Sequence, residues 1–470
     1  MKRAKDPLDF YRSTITEEFI EELLRAQSVV HRDGIFKASV VIWLMIAQRL
    51  KPNRSLSHAL EELKTGGAEF LQERGSGSIR VRGERISNST GGLAQARERT
   101  PEELVEQVAD RLAKALEDLS KESEKQRLYV LDGSTVCVSH TKKNIESYPP
   151  HKNQYGAAHF PLVRIGIATN VSSGVAVRPA LRAYEGENAC SELDLADDLL
   201  TRLPPNSIAL GDRYYGCFRF AFAARQNGHE VICRMKELNS KRFIGSPKTQ
   251  CGEKQVEWQP SPRERAKYPK LPVDAVVRGK MVWINVGQPG FQPTKLVLFT
   301  TLTLPPKKIA ELYALRWNVE LDLRHMKTTL DLAFVNAKSP QMVQKEIILA
   351  IAAYNLIHHT MCTAARALKL DPRQISFTRA LQRIESLLHI SFRDDPQEKK
   401  QRAFERALLD VKSLLLYKRK TRRLTEPRKI WQSGKKNFFA TSSSRIEERR
   451  LINPTIRQSK ISNHKHLALN

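Results

Sequence analysis

Apolar residues recur at helical spacing through the first part of the chain, at Phe19, Ile20, Leu23 and Leu24 and again from Val40 to Leu50, and predict helices over residues 1 to about 70. The run Ala38 to Ala47 is apolar nearly throughout but only about half the ~20 residues a membrane span needs, so it reads as a buried helix. A Gly/Ser/Arg-rich stretch at 73–92, holding Arg80, Arg82 and Arg85, breaks the pattern and reads as a loop. Either a DNA-contacting arm or a solvated connection fits it. Leu104, Val108, Leu112 and Leu116, four apart, return the chain to helix over Pro101 to Lys121.

From Arg127 the period changes to that of strands. Leu128–Leu131 runs into Asp132, and Thr135–Val138 continues beyond it. Val163–Ala168 and Val175–Ala180 are further strands, joined by a turn at Ser172–Gly174. A helix over Ser191–Leu203 precedes a buried-type strand, Ile208–Leu210, that ends at Asp212; a helix at Phe218–Gln226 and a strand at Glu230–Met235 follow. Three strands and then alternating helix and strand predict an α/β mixed sheet with helices on its faces. Residues 237–303 interrupt that rhythm as a β-rich insertion, with strands at Ala275–Arg278, Met281–Val286 and Leu296–Leu302. After Pro305-Pro306 the chain reads as helical over 307–330 and 341–368.

Composition changes this picture in one respect. The formal charge is +27, from 78 Lys and Arg against 51 Asp and Glu, and favours a polyanionic partner, most simply nucleic acid. A ribosome-associated or membrane-surface protein would share that balance. Nine Lys and Arg crowd residues 418–436, while the polar tail 441–470 lacks an apolar period and reads as disordered. The six cysteines are scattered without a Cys-x2-Cys pair, which supports neither a disulfide framework nor a zinc ribbon. With no apolar core after the N-terminal Lys and Arg, a signal peptide is not read, and the expected place is the cytoplasm, with the nucleoid.

Three carboxylates carry the candidate chemistry. Asp132 and Asp212 each stand where an apolar strand gives way to a turn-prone segment, and carboxylates at strand ends face the crevice where ligands bind. Singly, such residues are commonly turn residues or helix caps. The third is Glu320. On an ideal helix Tyr313, Arg316, Glu320 and Lys327 fall within roughly 60° of arc, with Arg324 on the same side. Leu312, Leu315, Val319, Leu323, Met326 and Leu330 gather on a separate apolar face, so packing leaves the polar stripe unexplained. Trp317, about 40° from Tyr313, is read as a packing residue. His140, His151 and His159 form no compact zinc pattern, Asp194, Asp197 and Asp198 read as a solvated helix face, and Glu346 reads as half of a structural ion pair.

The spacing Tyr313-x2-Arg316-x3-Glu320-x6-Lys327 resembles the signature of the bacterial insertion-sequence-4 family of DDE transposases. The likeness extends to Leu131-Asp132-Gly133-Ser134, Gly211-Asp212-Arg213-Tyr214-Tyr215, Arg234 and Lys236, Ser87 to Arg97, and the Arg428-Lys429 region. It implies a ribonuclease-H-like mixed-sheet core at 122–236 and 304–368, with the β-rich insertion at 237–303. Around the core it implies a helical N-terminal DNA-binding region at 1–121 and a helical, basic C-terminal region at 369–440. It implies that Asp132, Asp212 and Glu320 bind Mg²⁺, with Mn²⁺ substituting, and that Tyr313, Arg316, Lys327, Arg234, Lys236 and Arg324 contact DNA. Transposon-end and target DNA would be the partners, with a homodimer in the synaptic complex and no membrane. A structure-specific nuclease on the same core, or a non-catalytic DNA-binding repressor derived from a transposase, are the alternatives. One feature departs from the pattern: members that cleave through a DNA hairpin carry a tryptophan in the strand before the signature helix. Lys295–Phe299 has none, leaving Trp258 and Trp283 as spatial substitutes.

Overall fold

The computed structural model describes residues 6–28, 34–71, 86–120, 128–154, 156–247, 249–286, 294–392, 396–416, 429–430 and 438–439. Most of the expected Gly/Ser/Arg loop, most of the basic run at 418–436 and the expected disordered tail lie outside the described residues.

The N-terminal region is helical, as its periodicity indicates. Helices α1 (Pro7–Thr14), α2 (Glu17–Ala26) and α4 (Leu56–Lys64) start at Asp6, Thr16 and Ser55, whose side-chain oxygens accept from backbone N–H groups one turn in. Helix α3 (Ala38–Arg49) is buried over Val40–Arg49, which explains its lack of a polar face. The end of the expected loop is instead helical: Gly91 and Gly92 open α5 (Gly91–Arg99). Helix α6 (Glu102–Ser120) follows.

A sheet then forms from β1 (Leu128–Val138), β2 (Pro150–Asn153), β3 (Gly156–Asn170), β4 (Ala180–Ala183), β5 (Ile208–Gly211) and β6 (Glu230–Arg234), with α7 (Lys142–Ser147), α8 (Glu192–Arg202) and α9 (Phe218–Gln226) in the connections. Strands β1, β5 and β6 run parallel, β3 is antiparallel to β1, and β4 antiparallel to β3. Asp132 is not at the end of its strand: β1 continues through Gly133 to Val138 because β3 pairs with it along that length. The expected strand Val175–Ala180 is reduced to one bridge, Thr169 to Ala176, before β4, with the turn closing on Gly174 at φ +76°.

Within 237–303 lie α10 (Glu237–Ile244), β7 (Cys251–Trp258), α11 (Pro262–Lys267), β8 (Val277–Val286) and β9 (Thr294–Thr300). The expected runs at 275–278 and 281–286 form one strand, β8. Strand β7 is absent from the sequence reading because its residues are mostly polar and exposed. The meander β9-β8-β7 joins the edge of β6, making a ten-stranded mixed sheet.

Two helices, α12 (Pro306–Ala314) and α13 (Trp317–Arg324), then a π-helical turn at His325–Thr329, lead to β10 (Phe334–Val335), which pairs with the far end of β1. Helix α14 (Pro340–Leu368) is long and apolar enough to cross a membrane, but 89% of its apolar window is buried inside the fold. It is the central core helix, packed by α1, α3, α6 and α15 (Phe377–Phe392). Helix α16 (Gln397–Leu409) follows, and the short strands β11 (Lys429–Ile430) and β12 (Phe438–Phe439) pair with each other.

Candidate active site

Alternation along the strands decides which way the two aspartates face. Tyr129, Leu131, Ala209, Val231 and Cys233 pack against α8 and α9 on one side of the sheet. Leu128, Val130, Ile208, Leu210 and Ile232 pack on the other side, against Ile309, Tyr313 and Val319 of α12 and α13. Asp132 lies two residues beyond Val130, Asp212 two beyond Leu210, and Arg234 two beyond Ile232, so all three belong to the face that meets α12 and α13.

They also lie at one end of adjacent parallel strands. Val130 pairs with Leu210, and Leu210 with Ile232, in parallel register. Asp132 and Arg234 follow within β1 and β6, and Asp212 stands one residue beyond the end of β5, so two carboxylates and a guanidinium come to the same end of adjacent strands, near enough for Asp212 to act on Asp132. The sequence proposed both aspartates separately; register brings them together. Gly133 turns to the opposite face, where a β-carbon would come within 2.4 Å of the Glu192 carboxyl carbon. A larger residue there would have to displace the Glu192 side chain.

Burial pushes the Asp132 carboxyl up to about 6, and the neighbouring charge of Asp212 adds to it. The Gly133 N–H, 2.8 Å from Asp132 Oδ1, and the Arg316 guanidinium pull it partly back. A folded-state pKa above the ordinary 3.8 means that the folded chain holds this proton more tightly than the unfolded chain. The group's contribution to stability is thus full below about pH 4 and lost as pH rises through about 6. In metal-free buffer, Asp132→Asn is expected to unfold at a higher temperature than wild type at pH 7.5 and at the same temperature near pH 4. Identical melting curves at pH 7.5 would show that the ionised carboxylate carries no cost.

The signature segment is not one straight helix. Leu315, Arg316, Asn318 and Val319 donate to residues three earlier, which tightens the chain between α12 and α13, and the π-helical turn then displaces Lys327. The four residues therefore depart from a single polar stripe. Tyr313 is 7% exposed, its ring in the core with Val282, Leu298 and Val319, so packing does account for it. Its hydroxyl is raised in pKa by burial and opposed by Arg316 and Arg234. Arg316 is largely buried and donates to Glu320 Oε1 at 3.1 Å, while Glu320 is about half exposed. Lys327 is half-buried, which lowers its pKa, and Arg324 and Lys236 are exposed. Two apolar expectations also fail: Leu315 is 40% exposed, and Trp317 is 59% exposed with the Arg316 guanidinium 4.8 Å from its ring centroid.

The donor set of two aspartates and a glutamate suits a hard divalent cation. Among the described residues, however, no three acidic, His or Cys side chains already converge on one metal-sized point. The two aspartates lie near each other, and Glu320 is held to Arg316. His140 stacks on His159, and His151 meets Glu185 at 2.7 Å, away from any such group. Asp194 and Asp197 bind Arg219, and Asp198 binds Arg182, so that helix face is paired more than solvated. Of the possible substitutes for the missing tryptophan, Trp258 is 3% exposed inside an aromatic cluster of Phe218, Phe243 and Phe299 and cannot receive a base. Trp283 lies over Gly252 and donates to Thr249.

The sequence missed Asp322, wholly buried two residues after Glu320 and bound by Arg373. A carboxylate between Leu321 and Leu323 was the available signal; its partner, from the C-terminal region, had none.

Residues 123–356 match the family described as Transposase DDE domain. The chain is similar to the transposase InsG for insertion sequence element IS4 of Escherichia coli (strain K12), at 23% identity over 386 residues, covering 80% of this chain and 81% of that protein. A piggyBac transposase in a synaptic complex with hairpin DNA superposes with a TM-score of 0.42 at 8% identity, over 86% of this chain and 85% of that one.

Proposed function

This chain belongs to the insertion-sequence-4 family of DDE transposases, and from that membership we propose that Asp132, Asp212 and Glu320 hold its catalytic metal ions. The protein is a DNA transposase, which cleaves DNA and transfers strands. The observation that carries the site assignment is the proximity of Asp132, within β1, to Asp212, just past the end of the neighbouring parallel β5, on the side of the sheet that packs against the segment bearing Glu320.

Proteins of this type use divalent metal ions; Mg²⁺ is the proposed ion, with Mn²⁺ able to replace it. When bound, the ions supply Lewis-acid stabilisation of the charge that develops at the reacting phosphate. The chain's own groups do the rest. Arg316 neutralises Glu320 in the free protein and exchanges that carboxylate for a DNA phosphate, a charge-assisted contact that its planar fork favours. Arg234 binds phosphate beside the two aspartates, with Lys327, Lys236 and Arg324 around it. Tyr313, its ring committed to the core, donates its hydroxyl to phosphate rather than stacking on a base.

The core at 122–236 and 304–368 is proposed as ribonuclease-H-like, supported by the order β4-β3-β1-β5-β6 with β3 alone antiparallel. Residues 237–303 are the inserted domain, 1–121 the end-recognition region, and 369–440 a basic auxiliary region. The working assembly is a homodimer on paired transposon ends, meeting target DNA at the nucleoid. Incubating the protein with end-bearing DNA, target DNA and Mg²⁺ is expected to join 3′ ends to target, and chelation to stop it. Hydrolysed ends without joined product would replace strand transfer by the nuclease reading.

A further inference from the structure

Asp322 is fully buried, which for a carboxylate requires a strong partner. Arg373, in the turn Pro372–Gln374 between α14 and α15, supplies it with a two-pronged contact: Nη1 to Oδ1 at 2.5 Å and Nη2 to Oδ2 at 3.0 Å. The same guanidinium reaches the sheet. Its Nε donates to the Val171 carbonyl at 3.1 Å and Nη2 to the Asn170 carbonyl at 3.3 Å, at the end of β3. Val171 in turn donates to the carbonyl of Leu128, the first residue of β1, the strand that carries Asp132.

One side chain thus ties together the helix of Glu320 and the strand pair of Asp132. On that helix Asp322 stands about 200° around from Glu320, so it pins the back while Glu320 faces forward. A side-chain tip lies about 5–6 Å from a helix axis, so rotating α13 by about 10° would move the Glu320 carboxylate by about 1 Å. A displacement of about that size can cost roughly 100-fold in rate.

We propose that Arg373 and Asp322 form a clasp that fixes the rotation of α13 and so sets the position of Glu320 relative to Asp132 for metal binding. They are positioning residues, not catalytic ones, and the proposal rests on the reading of Glu320 as a metal ligand. Arg373→Lys keeps the charge and loses the fork. The full-length variant is titrated with Mn²⁺, free ion being followed by electron paramagnetic resonance, alongside strand transfer and end binding without metal. The expected result is Mn²⁺ affinity about tenfold weaker, strand transfer 10- to 100-fold slower, and end binding unchanged. Arg178→Lys serves as control, because Arg178 binds Glu106 and Asp110 far from Glu320 in sequence and likewise forms a partly buried cluster. It should leave the Mn²⁺ titration at the wild-type value. If both variants weaken Mn²⁺ in proportion to lost thermal stability, the role is structural and the clasp falls. If Glu320→Ala removes a Mn²⁺ site but Arg373→Lys titrates like wild type, the clasp alone fails. If Glu320→Ala leaves Mn²⁺ binding intact, the ligand reading fails with it.

Discussion

Alanine at Asp132, Asp212 or Glu320 is expected to slow strand transfer at least about a thousandfold, because metal stabilisation of a reacting phosphate is worth several kcal/mol and each 1.4 kcal/mol is about tenfold. End binding should hold or tighten, since each change removes a negative charge from a surface that meets phosphate. The three variants should differ when metal is absent. Asp132→Ala relieves a buried carboxylate already pushed up to about 6, so it should be stabilised. Glu320→Ala instead frees Arg316 from its 3.1 Å partner and should strengthen end binding most. Quantitative joining assays with gel-shift titrations separate these effects. Strand transfer surviving at near wild-type rate in any one of the three would remove that residue from the metal site.

The strands of this site are legible in the sequence because each opens as a short apolar run, which a local pattern suffices to read, whereas the continuation of β1 past Asp132 rests on its pairing with β3. Asp132 and Asp212 can be named individually, but their proximity depends on the pairing of Val130 with Leu210, a contact between residues 80 positions apart. A single polar stripe from Tyr313 to Lys327 requires uniform α-helix, whereas the chain tightens near Arg316 and widens at His325–Thr329. Local periodicity cannot register such changes of pitch, and so it groups Tyr313 with the polar residues although its ring is core. Strand β7 escaped for the opposite reason: it is held by pairing with β8 and buries little, leaving no apolar signal. Glu346 sits, as the sequence predicts, in a structural ion pair, but its partners Arg49 and Arg97 lie 297 and 249 positions away and carry no local signal.

Those partners make Glu346→Ala the substitution with the largest expected effect on stability. Its carboxylate, only 16% exposed, receives Arg49 Nη2 at 2.8 Å and Arg97 Nη2 at 2.5 Å, from α3 and α5. Burial already lowers the pKa of Arg49, and Glu346 is the main group opposing that shift. Removing the carboxylate leaves two guanidiniums facing each other in a largely buried site, where little water reaches to spread their charge. Breaking such a pair costs about 3–5 kcal/mol, a large part of the roughly 5–15 kcal/mol that holds a typical domain folded. Arg97→Ala should cost less, because Arg49 still neutralises Glu346. The junction also bears on the site: Arg49 donates to the Asp331 carbonyl, and Arg54 to Asp331 Oδ2 and the Thr329 carbonyl, at the end of the turn that carries Lys327. Loosening α3 should therefore release that turn, and Glu346→Ala should weaken end binding when assayed well below its own melting temperature. Chemical denaturation of the single variants and the double variant gives the order directly. A loss under about 1 kcal/mol for Glu346→Ala, the size expected of a solvent-exposed pair, would mean that the junction is hydrated and that the N-terminal helices are held by apolar packing alone.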